Sequence, residues 1–245
     1  MKIHIVFLSL LLVVTDLHGQ VFIETSSPVN PRDAFGSVIV YGSDGLAKSI
    51  PYSRIKGSPF WSDEWYSAIL LDKKDSSFGR FSVKMNLATH EVHFRDKNGK
   101  EMVPGSDVVR KIIIYDNADS TGILTVFNKN ISILKLLTKQ KDCYVQELNQ
   151  GDVKLMKITR REVKTADSLF GTEKRYYFAD QQEYFLQIGE RTERVRKLNK
   201  DELLSFFPRA SAYEAWIKEK GLRFNKESDC VTFISHYNAT NKKDE

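Results

Sequence analysis

The chain has 245 residues, of which 41% are hydrophobic, and it carries 37 Lys and Arg against 32 Asp and Glu for a formal net charge of +5. This composition excludes a disordered or low-complexity chain, and the length suits one large domain or two small ones whose core needs no covalent staples. The surface is mildly basic and mixed, a balance that draws a polyanion or an anionic membrane surface weakly and is otherwise that of an ordinary globular protein.

Residues 1–19, MKIHIVFLSLLLVVTDLHG, follow the order of a secretory signal peptide: Lys2, then an apolar run from Ile5 to Val14 broken by Ser9, then Gly19 before a cut at Gln20. The run is too short for a permanent anchor, no cysteine follows it to carry a lipid, and no later stretch is apolar enough for a transmembrane helix. The mature chain is therefore expected to be exported, periplasmic or secreted. Residues 20–36, with Pro28 and Pro31, read as an extended lead-in.

Residues 37–198 read as one antiparallel β domain. Phe81, Val83, Met85 and Leu87 alternate with Ser82, Lys84 and Asn86, which is a strand with one apolar face. Val92 and Phe94 repeat the pattern, and Asn98-Gly99 then signals a hairpin. Further strands are expected at 38–41, 66–71, 111–115, 123–127, 131–136, 144–148, 153–159, 175–178, 184–188 and 192–198. Turns are expected at Asn149-Gln150-Gly151-Asp152 and at Ala179-Asp180-Gln181-Gln182. Short gaps between strands favour antiparallel neighbours over βαβ crossovers.

At Asn199 the period changes to that of helices. Asn199 is placed to cap a helix with Glu202 at N3, and Leu203, Leu204 and Phe207 give it an apolar face before Pro208. Tyr213, Trp216 and Ile217 mark a second helix stopped by Gly221. Asn225 is placed to cap a third, with Cys230, Val231, Ile234 and Tyr237 inward. Such short helices need a partner, so residues 199–240 are expected to pack on the β domain. The fold class is mainly β within α+β: an antiparallel sandwich or open barrel with about three C-terminal helices.

The GxSxG, HExxH, GxxxxGKS/T, GxGxxG and EF-hand spacings are all absent, so no catalytic mechanism and no cofactor has sequence support. Without the leader, the histidines are His90, His93 and His236. His90 and His93 are three apart on an expected strand, point to opposite faces and read as surface or edge residues, not metal ligands. His236 reads as a packing or capping residue. Asp63 and Glu64 between Trp61 and Trp65 are the one cluster of carboxylates and aromatics, the pairing that a glycan site uses, although tryptophans plugging the end of a core explain it as well.

Arg191, Arg194, Arg196, Lys197 and Lys200, with Lys154, Lys157, Arg160, Arg161 and Lys164, suggest a basic face for phosphate or lipid headgroups. Strand alternation splits these charges between faces, which favours a solvated outer surface. An exported chain without a reading motif is not expected to bind nucleic acid. Cys143 and Cys230 either form one disulfide, closing an 87-residue loop worth about 4 kcal/mol, or remain two buried thiols. Asn130-Ile131-Ser132 and Asn238-Ala239-Thr240 fit the glycosylation pattern.

Three stretches carry a resemblance. They are Gly57-Ser58-Pro59-Phe60-Trp61 with Asp63-Glu64-Trp65; FSVKMN at 81–86 with Glu91-Val92-His93-Phe94; and LNKDELLSFFP with AWIKEKGLRFNKESDCVTFISHYN at the end. Together they are similar to a group of exported, functionally uncharacterised β-rich proteins of Bacteroidota with a short helical C-terminal tail. The resemblance implies a bacterial export route, where the glycosylation patterns carry no meaning, and a β domain with a helical end. It supplies no catalytic residues. The expected function is a non-catalytic binding or structural protein of the envelope whose partner is an envelope protein, a lipid or a glycan. The alternatives are a carrier of a lipid or other amphiphile, and a glycan-active enzyme using Asp63 or Glu64 with Trp61 and Trp65.

Overall fold

The computed structural model describes residues 36–41, 47–105, 107–119, 121–137, 142–168 and 171–241. The expected leader, nearly all of the lead-in and residues 242–245 lie outside these. A hairpin of β1 (Ser37–Tyr41) and β2 (Ala47–Pro51) stands apart from the main sheet. A 3-10 turn at Tyr52–Arg54 leads into β3 (Ile55–Lys56). Strands β4 (Tyr66–Leu71), β5 (Ser77–Asn86), β6 (Glu91–Arg95) and β7 (Glu101–Met102) then form an antiparallel meander.

The chain next skips back so that β8 (Lys111–Tyr115) pairs with β4 on the side away from β5. From there β9 (Ile123–Asn128), β10 (Val145–Glu147), β11 (Val153–Ser168), β12 (Gly171–Ile188) and β13 (Arg191–Val195) each run antiparallel to their predecessor. Among the described residues the sheet order is β13-β12-β11-β10-β9-β8-β4-β5-β6-β7, with β3 added parallel to β12, and the sheet is not closed into a barrel. Helix α1 (Ile131–Leu136) lies between β9 and β10, and α2 (Lys200–Ser205), α3 (Glu214–Glu219) and α4 (Glu227–Asn241) follow β13. The chain is thus mainly β with C-terminal helices, as its periodicities predict.

Side-chain alternation divides the interior. Leu70, Val83, Met85, Ile112, Ile114 and Phe127 fill a core between the first meander and β8–β9. On β11, Val153 and Leu155 face Phe233 and Ile234 of α4, whereas Met156 and Ile158 face the opposite way, under Ile133 of α1. Cys143 belongs to the core under α1 and Cys230 to the core under α4, so the sheet separates them and both are free thiols. The disulfide alternative is therefore corrected: side chains on opposite faces of one sheet cannot meet.

Two element assignments differ from the sequence reading. Residues 131–136, expected as a strand, are α1, because the Asn130 side-chain amide oxygen Oδ1 accepts from Ile133 N–H at 3.2 Å and caps a helix. The turn expected at 179–182 is absent: β12 runs straight through, with Gln181 opposite Arg160 and Asp180 opposite Arg161. The polar residues there serve cross-strand pairs. At the helical end, Asn199 accepts from Glu202 N–H at 2.8 Å, but the Glu202 carboxylate takes Arg196 N–H at 2.6 Å, leaving a one-sided cap. Trp216 is half-buried and stacks on His236 at 3.8 Å, while Ile217 is the buried anchor of α3.

Two polar clasps hold distant segments. The Arg161 guanidinium donates to both carboxylate oxygens of Asp180 at 2.6 and 2.8 Å, and to the carbonyls of Ser58 at 2.8 Å and Phe60 at 2.6 Å. Its backbone N–H also donates to Leu87 C=O at 3.0 Å, bridging β11 to the end of β5. On the other side, buried Asn238 of α4 donates to Val153 C=O at 2.8 Å and Gln150 C=O at 3.1 Å and accepts from Val153 N–H at 3.0 Å. Gly151 in that turn has φ +119, and a Cβ there would run into the Asn238 amide.

Asn238→Ala is expected to lower stability by about 1–3 kcal/mol in urea denaturation, because it removes the side-chain acceptor of the buried Val153 N–H, while the carbonyls of Val153 and Gln150 keep the Asn149 amide. Arg161→Gln is expected to cost ~2–4 kcal/mol at neutral pH. Arg161 holds the Asp180 carboxyl below its usual range. That contribution is present above the unfolded value near pH ~4 and fades as pH falls through the lower folded value. The Arg161→Gln penalty should accordingly shrink in acid.

Candidate functional site

The 3-10 turn at Tyr52–Arg54 is fixed from two sides. The Tyr52 ring meets Phe178 edge-on at 5.8 Å, and its hydroxyl accepts from the Asn86 amide at 3.0 Å. Burial raises the Tyr52 pKa, so the phenol stays protonated. The two residues of β3 then lie parallel to β12, Ile55 beside Tyr176 and Lys56 beside Tyr177. Ile55 is buried, whereas Tyr177 is 38% exposed. Gly57, at φ +99, turns the chain away next to Phe178.

This junction leaves an open groove of about 900 Å³, lined by Arg54 and Lys56 on one wall and by Arg175, Tyr176, Tyr177 and Phe178 on the other. No acidic side chain is among the described residues that line it. None of the three cations joins an ion pair among the described residues. Guanidinium and ammonium groups next to phenol and phenyl rings can grip an anionic group while the rings cover its apolar body.

The basic residues marked in the sequence behave differently. Lys154 pairs with Glu147 at 3.0 Å, Lys157 with Glu227 at 2.8 Å and Lys164 with Glu162 at 2.6 Å. Arg160 and Arg194 share Glu183, Arg161 takes Asp180, Arg191 takes Glu193, and Lys200 takes Glu214. Those charges are taken up by nearby acids, whereas Arg196 and Lys197 join no ion pair among the described residues.

Trp61, Asp63, Glu64 and Trp65 are not gathered into one cleft. Trp61 packs on the core against Tyr66 at 5.5 Å and Phe127 at 5.8 Å. Trp65 lies under the Arg95 guanidinium at 4.2 Å and the Lys84 ammonium at 5.3 Å, with Lys84 also 5.2 Å over Phe60. Asp63 accepts from the Ser58 hydroxyl, and both it and Glu64 are exposed. The cluster is a rack of rings and cations rather than two opposed carboxylates.

Contrary to the expectation of surface histidines, His90 and His93 are both buried. His90 occupies a turn at φ 56, off the strand, and His93 bonds Glu101 through Nδ1 at 2.6 Å, which helps lower the Glu101 pKa. His90 Nδ1 accepts from Tyr144 N–H at 3.3 Å, and Nε2 meets no hydrogen-bond partner among the described residues. Burial, then the nearby Arg160 and Lys129, hold its pKa down to about 4. Burial pushes the Cys143 and Cys230 thiols up to about 11, so neither is a thiolate nucleophile. Among the described residues no three His, Cys, Asp or Glu come together as a metal-ligand set.

Both asparagines of the glycosylation patterns are engaged by the fold, Asn130 as the α1 cap and Asn238 in its clasp. No described helix is long and apolar enough to cross a membrane. No family model, curated protein or solved structure matches the chain.

His90 makes the fold acid-sensitive in a defined window. The unfolded imidazole binds its proton near pH ~6.5 and the folded one only near about 4, so stability should fall by up to ~1.4 kcal/mol per pH unit between them. His90→Asn, which tolerates the left-handed backbone, should flatten that slope in denaturation curves from pH 7 to 4.

Proposed function

We propose that this chain is a non-catalytic binding protein of the cell envelope whose ligand is an anionic group carried on an apolar or aromatic body. One observation carries the reading: Arg54, Lys56 and Arg175, none of them in an ion pair among the described residues, line one groove with Tyr176, Tyr177 and Phe178, whereas the cations along the body of the same hairpin have acidic partners. The leader order in residues 1–19 supports an exported setting. Leu70, Val83, Met85 and Ile112 of β4, β5 and β8 are buried in one packed core, which supports reception of the ligand at the surface groove rather than inside the sheet. Protonated thiols and the scattered Trp61–Trp65 residues support binding without turnover.

The test is equilibrium dialysis with 2-naphthyl phosphate, with naphthol and inorganic phosphate as half-ligands. Saturable binding of the whole probe is expected, stronger than of either half. The triple change Arg54→Gln, Lys56→Gln and Arg175→Gln should weaken it about 10- to 100-fold, at ~0.5–1 kcal/mol per cation. Lys97→Gln, in the exposed β6–β7 turn, should leave it unchanged. Equal binding by the triple variant, or none by the unaltered protein, removes the reading.

A further inference from the structure

The groove lies where the β11–β12 hairpin leaves the rest of the sheet. Among the described residues β10 follows β11 no further than Lys157, and β13 follows β12 only from Tyr184 onward. Among the described residues the last backbone tie from β11 to a segment outside the hairpin is Arg161 N–H to Leu87 C=O. From Arg161 to Ser168 the hairpin therefore runs on for about 23 Å at ~3.3 Å per residue, flanked on one edge by the two residues of β3.

We infer, resting on the function proposed above, that this outer hairpin lies against a bilayer and that the groove holds the phosphate of an anionic lipid headgroup. Three features of the groove favour a lipid surface over a free small molecule. The first is shape. A soluble ligand of this size is normally enclosed over most of its surface, but the groove is open along the hairpin. A lipid keeps its tails in the membrane and needs only a half-open cradle for its head.

Charge is the second feature. The inner cations of the same hairpin, Arg160, Arg161 and Lys157, are matched by Glu183, Asp180 and Glu227, whereas Arg54, Lys56 and Arg175 at the groove join no ion pair among the described residues. Uncompensated Lys and Arg near an anionic membrane surface gain from its potential. The third feature is the phenols. Tyr176 and Tyr177 stand next to those cations, Tyr177 being exposed, and a ring with an apolar body and a polar tip suits the headgroup level.

The experiment is vesicle co-sedimentation of the full chain, using phosphatidylcholine alone and phosphatidylcholine mixed with phosphatidylglycerol. Binding to the mixed vesicles, little to the neutral ones, and loss at high salt are expected. The Arg54/Lys56/Arg175→Gln triple variant should lose about 30- to 100-fold in partitioning. Tyr177→Ser should weaken it further, and Lys97→Gln should not. Matching urea midpoints for the variants would establish that these exposed changes leave the fold intact.

If the protein ignores the vesicles yet holds 2-naphthyl phosphate through the same three cations, the membrane inference is overturned and the binding function stands. If the triple variant sediments as well as the unaltered chain, the groove is not the contact and the inference also fails. Binding to neither vesicle nor probe removes both.

Discussion

A long open sheet needs ties beyond its own ladder to hold the segments that cross it, and Arg161 supplies one. Its guanidinium spends every face on fixed oxygens: two on Asp180 and two on the carbonyls of the segment that follows β3. Those carbonyls belong to a stretch with no strand ladder of its own at that point, so the cation supplies the hydrogen bonds that a missing strand would have supplied. Next to them, Trp61 N–H donates to Met85 C=O and Leu87 N–H to Pro59 C=O, which fastens the same stretch to the end of β5. A charge satisfied in this way is strong because four acceptors are already in place. Removing it strands a carboxylate and two carbonyls together.

The groove depends on that clasp. Residues 57–61 run from the β12 edge to β5 held midway by Arg161 and at the far end by the bonds to Met85 and Leu87, and this path leads out of β3 where it meets Tyr176 and Tyr177. The distribution of charge follows from the same geometry. Along the body of the hairpin, antiparallel register brings acids within reach of bases, Asp180 directly opposite Arg161 and Glu183 two residues along from the position opposite Arg160, so cations find partners across the ladder. Next to the parallel two-residue β3 the register brings Lys56 to a tyrosine instead, and no acid is delivered.

Much of the β domain is legible from alternation. The strands at 66–71 and 111–115 and the pair around Met85 and Val92 lie where period two places them, and the helical end begins at the Asn199 cap. The failures have physical causes. ISILKL alternates like a strand, but the side chain of Asn130 converts it into a capped turn of helix. Asp180 and its glutamine neighbours look like a turn because they are polar, yet Asp180 is polar in order to meet Arg161. The clasp and the groove were not legible, since Arg161 to Ser58 and Lys56 to Tyr177 are contacts across more than a hundred residues. Phe233 and Asn238, buried on α4 among expected neighbours, sit at helical spacing from Cys230 and Ile234 and were readable in principle.

The separation of the two thiols by the sheet divides the molecule into two independently reporting halves. Cys143 is sealed by α1 and the strands beneath it, and Cys230 by α4 and its aromatic neighbours. Each becomes reactive only when its own cover lifts, because burial keeps both protonated while closed. The native chain therefore contains a pair of internal clocks: thiol-labelling rates read the opening of the helical end and of the α1 side separately, with no probe added to the protein. It also owes none of its cohesion to a covalent cross-link between its cysteines, so the redox potential of its surroundings leaves the fold's energetics untouched.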